Sequence, residues 1–287
     1  MKQNLKIAAT IILYNPNLEV IDNIYSYLHD IDVVYAIDNS EKENPEFIKK
    51  LNAIKKVKHI NNKGNLGVAK GLNIAAQIAI AEKYDLLLTM DQDSKAQPAM
   101  IATMLSILKD VDLSDVGIIS PCHITGTNKI PATERVYDKV QTVMTSGNLL
   151  NLNAFQKAGP FNEELFIDCV DHDYCLRLIM RGYKVIQSNK AMIKHSLGNQ
   201  TQHKFLGKSK ITNNHPPFRR YYIARNRLYM MDKYKKDFPE YYKASKQELI
   251  KEFKYIILFE KDKFPKLKMM LKGFLDFKKD KMWKYND

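Results

Sequence analysis

Apolar residues along the first third of the chain alternate between two rhythms. Short unbroken runs occur in KIAATIIL (6–13), DVVYAIDNS (32–40), VKHINN (57–62) and YDLLLTMD (84–91), the length and composition of buried strands. Between them the apolar positions fall three and four apart. Leu18, Ile21, Ile24, Tyr25 and Leu28 predict a helix over 18–29, a second helix follows Pro45, and an alanine-rich third spans about 66–83 after the glycine-punctuated NNKGNLGVAKGLN (61–73). Strands alternating with helices predict an α/β domain with a largely parallel sheet flanked by helices.

The middle of the chain keeps this rhythm less regularly. A helix is expected after Pro98, a strand at VGIISP (116–121), an irregular stretch around Gly126 and Pro131, and a β-segment at VQTVMTSGNLLNL (140–152). A loop then enters a helix that stops at Gly182, where a left-handed residue ends it, and YKVIQS (183–188) reads as a strand. After about residue 205 the pattern changes. HPPFRRYYIARNRLYMMDKY (215–234) mixes arginines with aromatics, and from 245 onward lysines alternate with Phe, Leu, Ile, Met and Trp283. The expected organisation is a catalytic α/β domain over 1–210 and a basic, aromatic-rich helical extension over 211–287.

Three of the early strands end alike, in LYNP, IDNS and MDQD. Ligands of open α/β sheets bind at the carboxyl ends of strands, so Tyr14, Asp38 and Asp91 are expected on one crevice, although Asp38-Asn39-Ser40 also suits a turn. Asp91 and Asp93, one residue apart after a buried strand, can address one hard cation, Mg2+ or Mn2+, shared with a diphosphate. That chemistry suits a reaction in which a nucleoside diphosphate departs.

Charge adds one constraint. The chain of 287 residues carries a formal net charge of +13, which points to an anionic partner. Cys122, Cys169 and Cys175 match no metal or redox spacing and read as reduced thiols. The N-terminal lysines and short apolar run read as a first strand rather than a signal peptide, and no apolar run reaches the roughly 20 residues of a membrane span.

Taken in order, TIILYNP, AIDNS, NKGNLGVAKGLN, LLTMDQDS, TSGNLL, GPFNEELFIDCVDHDYCLRLIMRGYKV and KHSLGN resemble the successive motifs of bacterial family-2 inverting glycosyltransferases, in their rhamnosyltransferase-like branch, over roughly residues 6–230. The resemblance implies a GT-A fold, a nucleoside-diphosphate sugar donor (dTDP-rhamnose, or a UDP-sugar) and a divalent metal. It implies that Tyr14 and Asn15 flank the nucleobase, that Asp38 accepts a hydrogen bond from base or ribose, that Asn65 and Gly67 approach the nucleotide, and that Asp91 and Asp93 form the metal-binding pair. It further implies that His195 completes the metal or diphosphate site and that Arg225 and Asn226 of YYIARN face the diphosphate.

Inverting transfer needs a base for the acceptor hydroxyl. In the family a Glu-Asp doublet precedes a helix; here it reads Val170-Asp171, so Asp171 aligns with the base, and Asp168 or Asp173 is left to share the acceptor role. Each of these aspartates also suits a helix cap, and Asp173 with Arg177 suits an i,i+4 ion pair. The tail reads either as a peripheral contact with the inner leaflet of the cytoplasmic membrane, near a polyprenol-linked glycan acceptor of polysaccharide biosynthesis, or as a packed subdomain or homodimer contact. The expected location is cytoplasmic. A nucleic-acid-binding protein and a nucleotide-sugar-binding pseudoenzyme are the rival readings. No RNA- or DNA-binding motif appears, and the lysines concentrate in the tail.

Overall fold

The computed structural model describes residues 5–124, 133–195, 201–205 and 208–285. The chain divides into two compact units, one of residues 1–166 with 170–196, the other of 167–169 with 197–287. In the first unit the chain runs β1 (Ile7–Leu13), α1 (Glu19–Tyr25), β2 (Val33–Asp38), α2 (Pro45–Asn52), β3 (Val57–Asn61), α3 (Val68–Ala81), β4 (Leu86–Asp91), β5 (Ser94–Ala96), α4 (Met100–Ser106), β6 (Val116–Ile124), β7 (Tyr137–Lys139), β8 (Asn148–Asn151), α5 (Leu152–Ala158), α6 (Val170–Met180) and β9 (Lys184–His195). The first four strands and their helices lie where the apolar rhythm predicts them.

These strands form one mixed sheet in the order β3-β2-β1-β4-β8-β6-β9-β5, with β7 also on β9. The β1–β2, β1–β4 and β2–β3 pairs are parallel. The order reverses between β1 and β4, which is where ligand crevices open in sheets of this kind. The register puts Leu13 beside Asp38 and Ile12 beside Asp91, so the three polar strand ends stand at one level. β1 is buried along its whole length, and α3 offers mainly alanines to the sheet. Gly71 lies so close to Ile12 that an added Cβ would sit 2.9 Å from its Cδ1.

Two segments differ from expectation. Only 148–151 of the predicted 140–152 segment is strand; the part before it crosses the edge of β4 as a loop. There Thr89 Oγ1 donates to the Thr145 carbonyl (2.6 Å) and Gly147 N–H donates to the Thr89 carbonyl (2.7 Å). Gly147 has φ 85° and no room for a Cβ beside Pro121. The strand expected at 183–188 continues to His195, because β6 pairs along it on one side and β5 closes its far end on the other. Gly182, in the left-handed region at φ 85°, stops the preceding helix as expected. Gly126, Pro131 and residues 196–199 of KHSLGN lie outside the described residues.

The second unit contains the hairpin β10 (Thr201–Phe205) with β11 (Lys208–Thr212), then α7 (Pro217–Tyr234), α8 (Pro239–Phe259) and α9 (Lys263–Lys278). It thus includes the hairpin and Ile167–Cys169 besides the expected 211–287. Gly273 lets α9 cross α7 at backbone distance; a Cβ there would lie 2.5 Å from the Tyr221 carbonyl oxygen. The helices enclose charges as well as apolar groups. Arg220 pairs with Glu260 and Glu252, Lys266 with Glu260 (3.0 Å), and Arg227 with Glu252 (3.2 Å). Burial pushes the Glu252 carboxyl above its ordinary range, against the pull of Arg227 and Arg220. None of the helices among the described residues is long and apolar enough to cross a membrane.

At the entrance to α7, burial first and then the Arg219 charge push the His215 imidazole down to about 4. The unfolded chain binds that proton near pH 6.5, so the folded state binds fewer protons between those values and stability falls as pH drops through them. The slope from this one group is at most about 1.4 kcal/mol per pH unit, and less to the extent that water reaches the ring. Urea unfolding at pH 7.5, 6 and 5 is expected to show a shallower loss for His215→Gln than for the unaltered chain. Equal slopes would remove His215 as the cause.

Candidate active site

β4 delivers Asp91 at its carboxyl end, and the chain turns through Gln92 and Asp93 into β5. That short strand runs antiparallel to β9 with Ser94 opposite His195, which carries the imidazole back beside the aspartates. Ligand atoms of Asp91, Asp93 and His195 all lie within 4.8 Å of one another. His195 Nδ1 is 3.7 Å from Asp93 Oδ1 and 2.6 Å from Ser94 Oγ. Two carboxylates and one imidazole are a donor set that fits a divalent cation; the carboxylates suit Mg2+ or Mn2+, and the imidazole favours Mn2+.

Five residues that sequence reasoning passed over hold this cluster in shape. Gln92 Oε1 accepts from Tyr14 N–H (2.9 Å), the Gln92 side-chain amide donates to the Tyr14 carbonyl (3.2 Å), and the Asn23 side-chain amide donates to the Gln92 main-chain carbonyl (2.9 Å). The turn between the aspartates is thereby tied to the end of β1. Asp91 N–H donates to Ser146 Oγ (3.0 Å), and the Ser146 carbonyl accepts from His123 Nε2 (2.8 Å). His123 stands edge-on to His195 with ring centroids 6.1 Å apart. Burial holds its imidazole neutral, down to about 4. Ser94 meets the ring of His195 directly. A serine after Asp-x-Asp, and a histidine in a buried strand, are signals a sequence offers only weakly, since both residue types are common in purely structural places.

On the other side of β1, Tyr14 is half exposed, and Asn15 is left-handed at φ 47° with its N–H donating to Ser40 Oγ (2.8 Å). Asp38 is buried: Oδ1 accepts from Ser40 N–H (2.8 Å) and Oδ2 lies 3.0 Å from His59 Nε2. The carboxylate expected to meet a base or ribose thus uses both oxygens to brace the loop at the end of β2. Asn39 donates to the Gly67 carbonyl (3.1 Å), and Asn65 Oδ1 accepts from Gly67 N–H (3.0 Å). Gly67, at φ 86°, packs its bare Cα against Phe166, where a Cβ would sit 2.6 Å from the ring. No other residue fits both that conformation and that contact.

Asp171 lies in the first turn of α6, where Oδ1 accepts from the next residue's N–H (2.8 Å). It borders a small, partly open cavity with Thr89, Thr145, Asn148, Phe161 and Cys175. Thr89 is two residues before Asp91 on β4, and Thr145 precedes the serine that receives Asp91 N–H. A wider groove lined by Tyr84, Asp85 and Leu113 opens at the opposite end of β4 and takes in none of these residues.

The other expected site residues are placed differently. Asp173 is fully buried, bound by Arg177 Nε (2.8 Å), and Arg177 also donates to the carbonyls of Ala158 and Pro160. An acceptor role for Asp173 is therefore corrected to an ion pair that fastens α6 to the chain before it. Within the second unit, Asp168 at φ 66° is gripped by Arg219 (3.2 and 3.3 Å), which takes up the carboxylate expected to share the acceptor. Arg225 is fully buried against the rings of Tyr221 and Tyr222, donating to Asn226 Oδ1 (2.9 Å) and the Trp283 carbonyl (2.6 Å). Asn226 donates to the carbonyls of Ile167 (2.7 Å) and Asp168 (2.9 Å). The expectation that Arg225 and Asn226 face a diphosphate gives way to their holding the 167–169 loop and the C-terminal segment, because both side chains are buried and engaged by protein groups.

This geometry has relatives. dTDP-rhamnosyl transferase RfbF of Shigella flexneri is 28% identical over 245 residues, covering 80% of this chain and 81% of that protein. Among solved structures, S. aureus TarS 1–349 matches with a TM-score of 0.59 at 12% identity, over 95% of this chain and 81% of that one. TarS 1–349 in complex with UDP-GlcNAc gives 0.58 at 13%, over 95% and 80%. GalNAc-T7 with UDP, GalNAc and Mn2+ gives 0.56 at 14% over 72% of this chain, which spans only 45% of that one. At such identities the structural likeness is one of fold, and the fold is GT-A. The model of the family described as Glycosyl transferase family 2 matches residues 11–219, from the middle of β1 into α7. A match over most of the chain, with the Asp-x-Asp turn inside it, settles the affiliation: the protein belongs to glycosyl transferase family 2.

Proposed function

We propose that this glycosyltransferase moves L-rhamnose from dTDP-rhamnose, with inversion at the anomeric carbon, onto a polyprenol-linked glycan acceptor of bacterial surface polysaccharide synthesis. The observation that carries the mechanism is the meeting of Asp91, Asp93 and His195 at the carboxyl end of β4. The choice of sugar draws on the Shigella relative's name, dTDP-rhamnosyl transferase. Galactosyl, galactofuranosyl, glucosyl or N-acetylhexosaminyl transfer from a UDP-sugar is the second reading, favoured by the TarS complex with UDP-GlcNAc.

Asp91, Asp93 and His195 would hold Mg2+ or Mn2+. The ion, when bound, offsets negative charge on the departing diphosphate. Tyr14 and Asn15, at the end of β1, would flank the base, and Asn65 and Gly67 belong to the loop that would approach the nucleotide. Asp171 is the base. Its carboxylate takes the proton of the acceptor hydroxyl as that oxygen bonds to the anomeric carbon, while the bond from that carbon to the phosphate oxygen breaks and the nucleoside diphosphate leaves. The Gln92 clamp and the Ser146 hydroxyl keep the Asp91–Asp93 turn from relaxing as charge moves away.

Two neighbouring aspartates should respond in opposite ways. Asp171→Asn is expected to lower kcat by on the order of a thousandfold while keeping donor binding and melting temperature. Asp173→Asn is expected to destabilise the fold by about 3 kcal/mol, because Arg177 loses its buried partner. Full turnover in Asp171→Asn would move the base to another residue.

The donor is read by thermal unfolding against a panel of nucleotide sugars, since a specific ligand raises the midpoint by mass action. dTDP-rhamnose with Mn2+ is expected to protect the most, and EDTA or Asp93→Asn to abolish the protection. Greater protection by a UDP-sugar would replace rhamnose in the proposal, and protection unaffected by EDTA would remove the metal.

A further inference from the structure

Helix α9 is built inside out. At about 100° per residue, Lys266, Met270, Gly273 and Asp276 share one face, and that face is buried, with Lys266 at 2% and Asp276 at 5% exposure. The opposite face carries Phe264, Leu271 and Leu275, with Phe274 at its margin. Phe264 is 78% and Leu271 58% exposed. A helix on a water-facing surface shows the reverse pattern. The inward polar groups are satisfied: Lys266 binds Glu260 and Asn214 Oδ1, and Asp276 accepts from Tyr221 and Lys272. The helix is therefore held in this orientation by ion pairs and by the close contact of Gly273 with α7, and its apolar side is left outward.

The apolar face is bordered by one sign of charge. Lys263, Lys268, Lys278, Lys279, Lys281 and Lys284 are exposed, and Asp280 is the one exposed acid between residues 263 and 284. Trp283 follows, also exposed, and Ile250, Phe253 and Ile257 place a second apolar stripe on α8. Aromatic and aliphatic side chains within a lysine border suit an interface in which the apolar groups enter an acyl layer while the ammonium groups stay among phosphates. A second copy of the chain fits less well, because an isologous contact would set these lysines against themselves.

We propose that the outward face of α9 docks on an anionic lipid surface. This goes beyond the reaction proposed above and does not depend on it. The full chain is tested by co-sedimentation with vesicles of phosphatidylcholine alone or mixed with phosphatidylglycerol. Binding is expected only with the anionic mixture, and is expected to weaken with added salt. The triple variant Phe264→Gln, Leu271→Gln, Leu275→Gln is expected to partition at least about tenfold less, with its melting temperature and elution volume unchanged. Lys268→Glu with Lys279→Glu and Lys281→Glu is expected to lose the anionic binding while leaving the apolar face intact. Absence of binding by the unaltered chain, or unchanged binding by either variant, would overturn the proposal. So would an unaltered dimer that the triple variant splits, since the face would then belong to a second copy.

Discussion

Two carboxylates one residue apart repel each other, and the end of a buried strand is a poor place to leave them unsupported. The site is organised around that conflict. β4 is buried from Leu86 to Met90 and surfaces only at Asp91, so the carboxylates meet solvent where the strand's apolar neighbours stop. Backbone and side-chain donors then fix the turn: Ser146 receives the amide of Asp91, Gln92 is stitched to Tyr14, and β5 pairs with β9 so that His195 closes the group. A cluster held this firmly keeps its charges close in the absence of a cation, which lowers the reorganisation needed to bind one.

Strands β1, β2 and β4 were legible because they are buried on both faces, and such strands are written as continuous apolar runs. The level at which β1, β2 and β4 end was legible too, since LYNP, IDNS and MDQD mark it in residues. The antiparallel half was not. β5 is three residues long and carries no apolar run; it exists because β9 offers it an edge. The loop before β8 reads as strand by composition, yet Thr145 and Gly147 bond only to the single β4 residue Thr89, and no ladder continues from there. Local pattern reports burial and period, whereas these two segments are decided by which partner is within reach.

Charged residues proved harder to read than apolar ones, for a related reason. A guanidinium in YYIARN has the right chemistry for a diphosphate and equally the right chemistry for a carbonyl and two tyrosine rings. Burial decides between them, and burial of a single arginine leaves no periodic trace. Asp173 shows the readable exception: its i,i+4 partner Arg177 is visible in the chain, and the pair is what the fold contains. Asp168 had no such partner nearby in sequence; its arginine arrives from α7.

The same reasoning explains why net charge is an ambiguous guide to function here. The basic excess suggests a polyanion, and a nucleic acid is the largest polyanion available. But a groove that tracks a nucleic-acid backbone needs its cations arrayed along it with rings to stack on the bases, whereas in α9 the ring and the aliphatic side chains stand on the outward face with lysines around them and the polar residues are turned inward. An arrangement with apolar groups outermost is stable only if something other than water lies against it, or if the buried side is anchored strongly enough to bear the exposure. The ion pairs of Lys266 and Asp276 supply that anchoring. Removing them would let the helix roll to bury Phe264 and Leu271, so the buried charges specify which face of α9 looks outward.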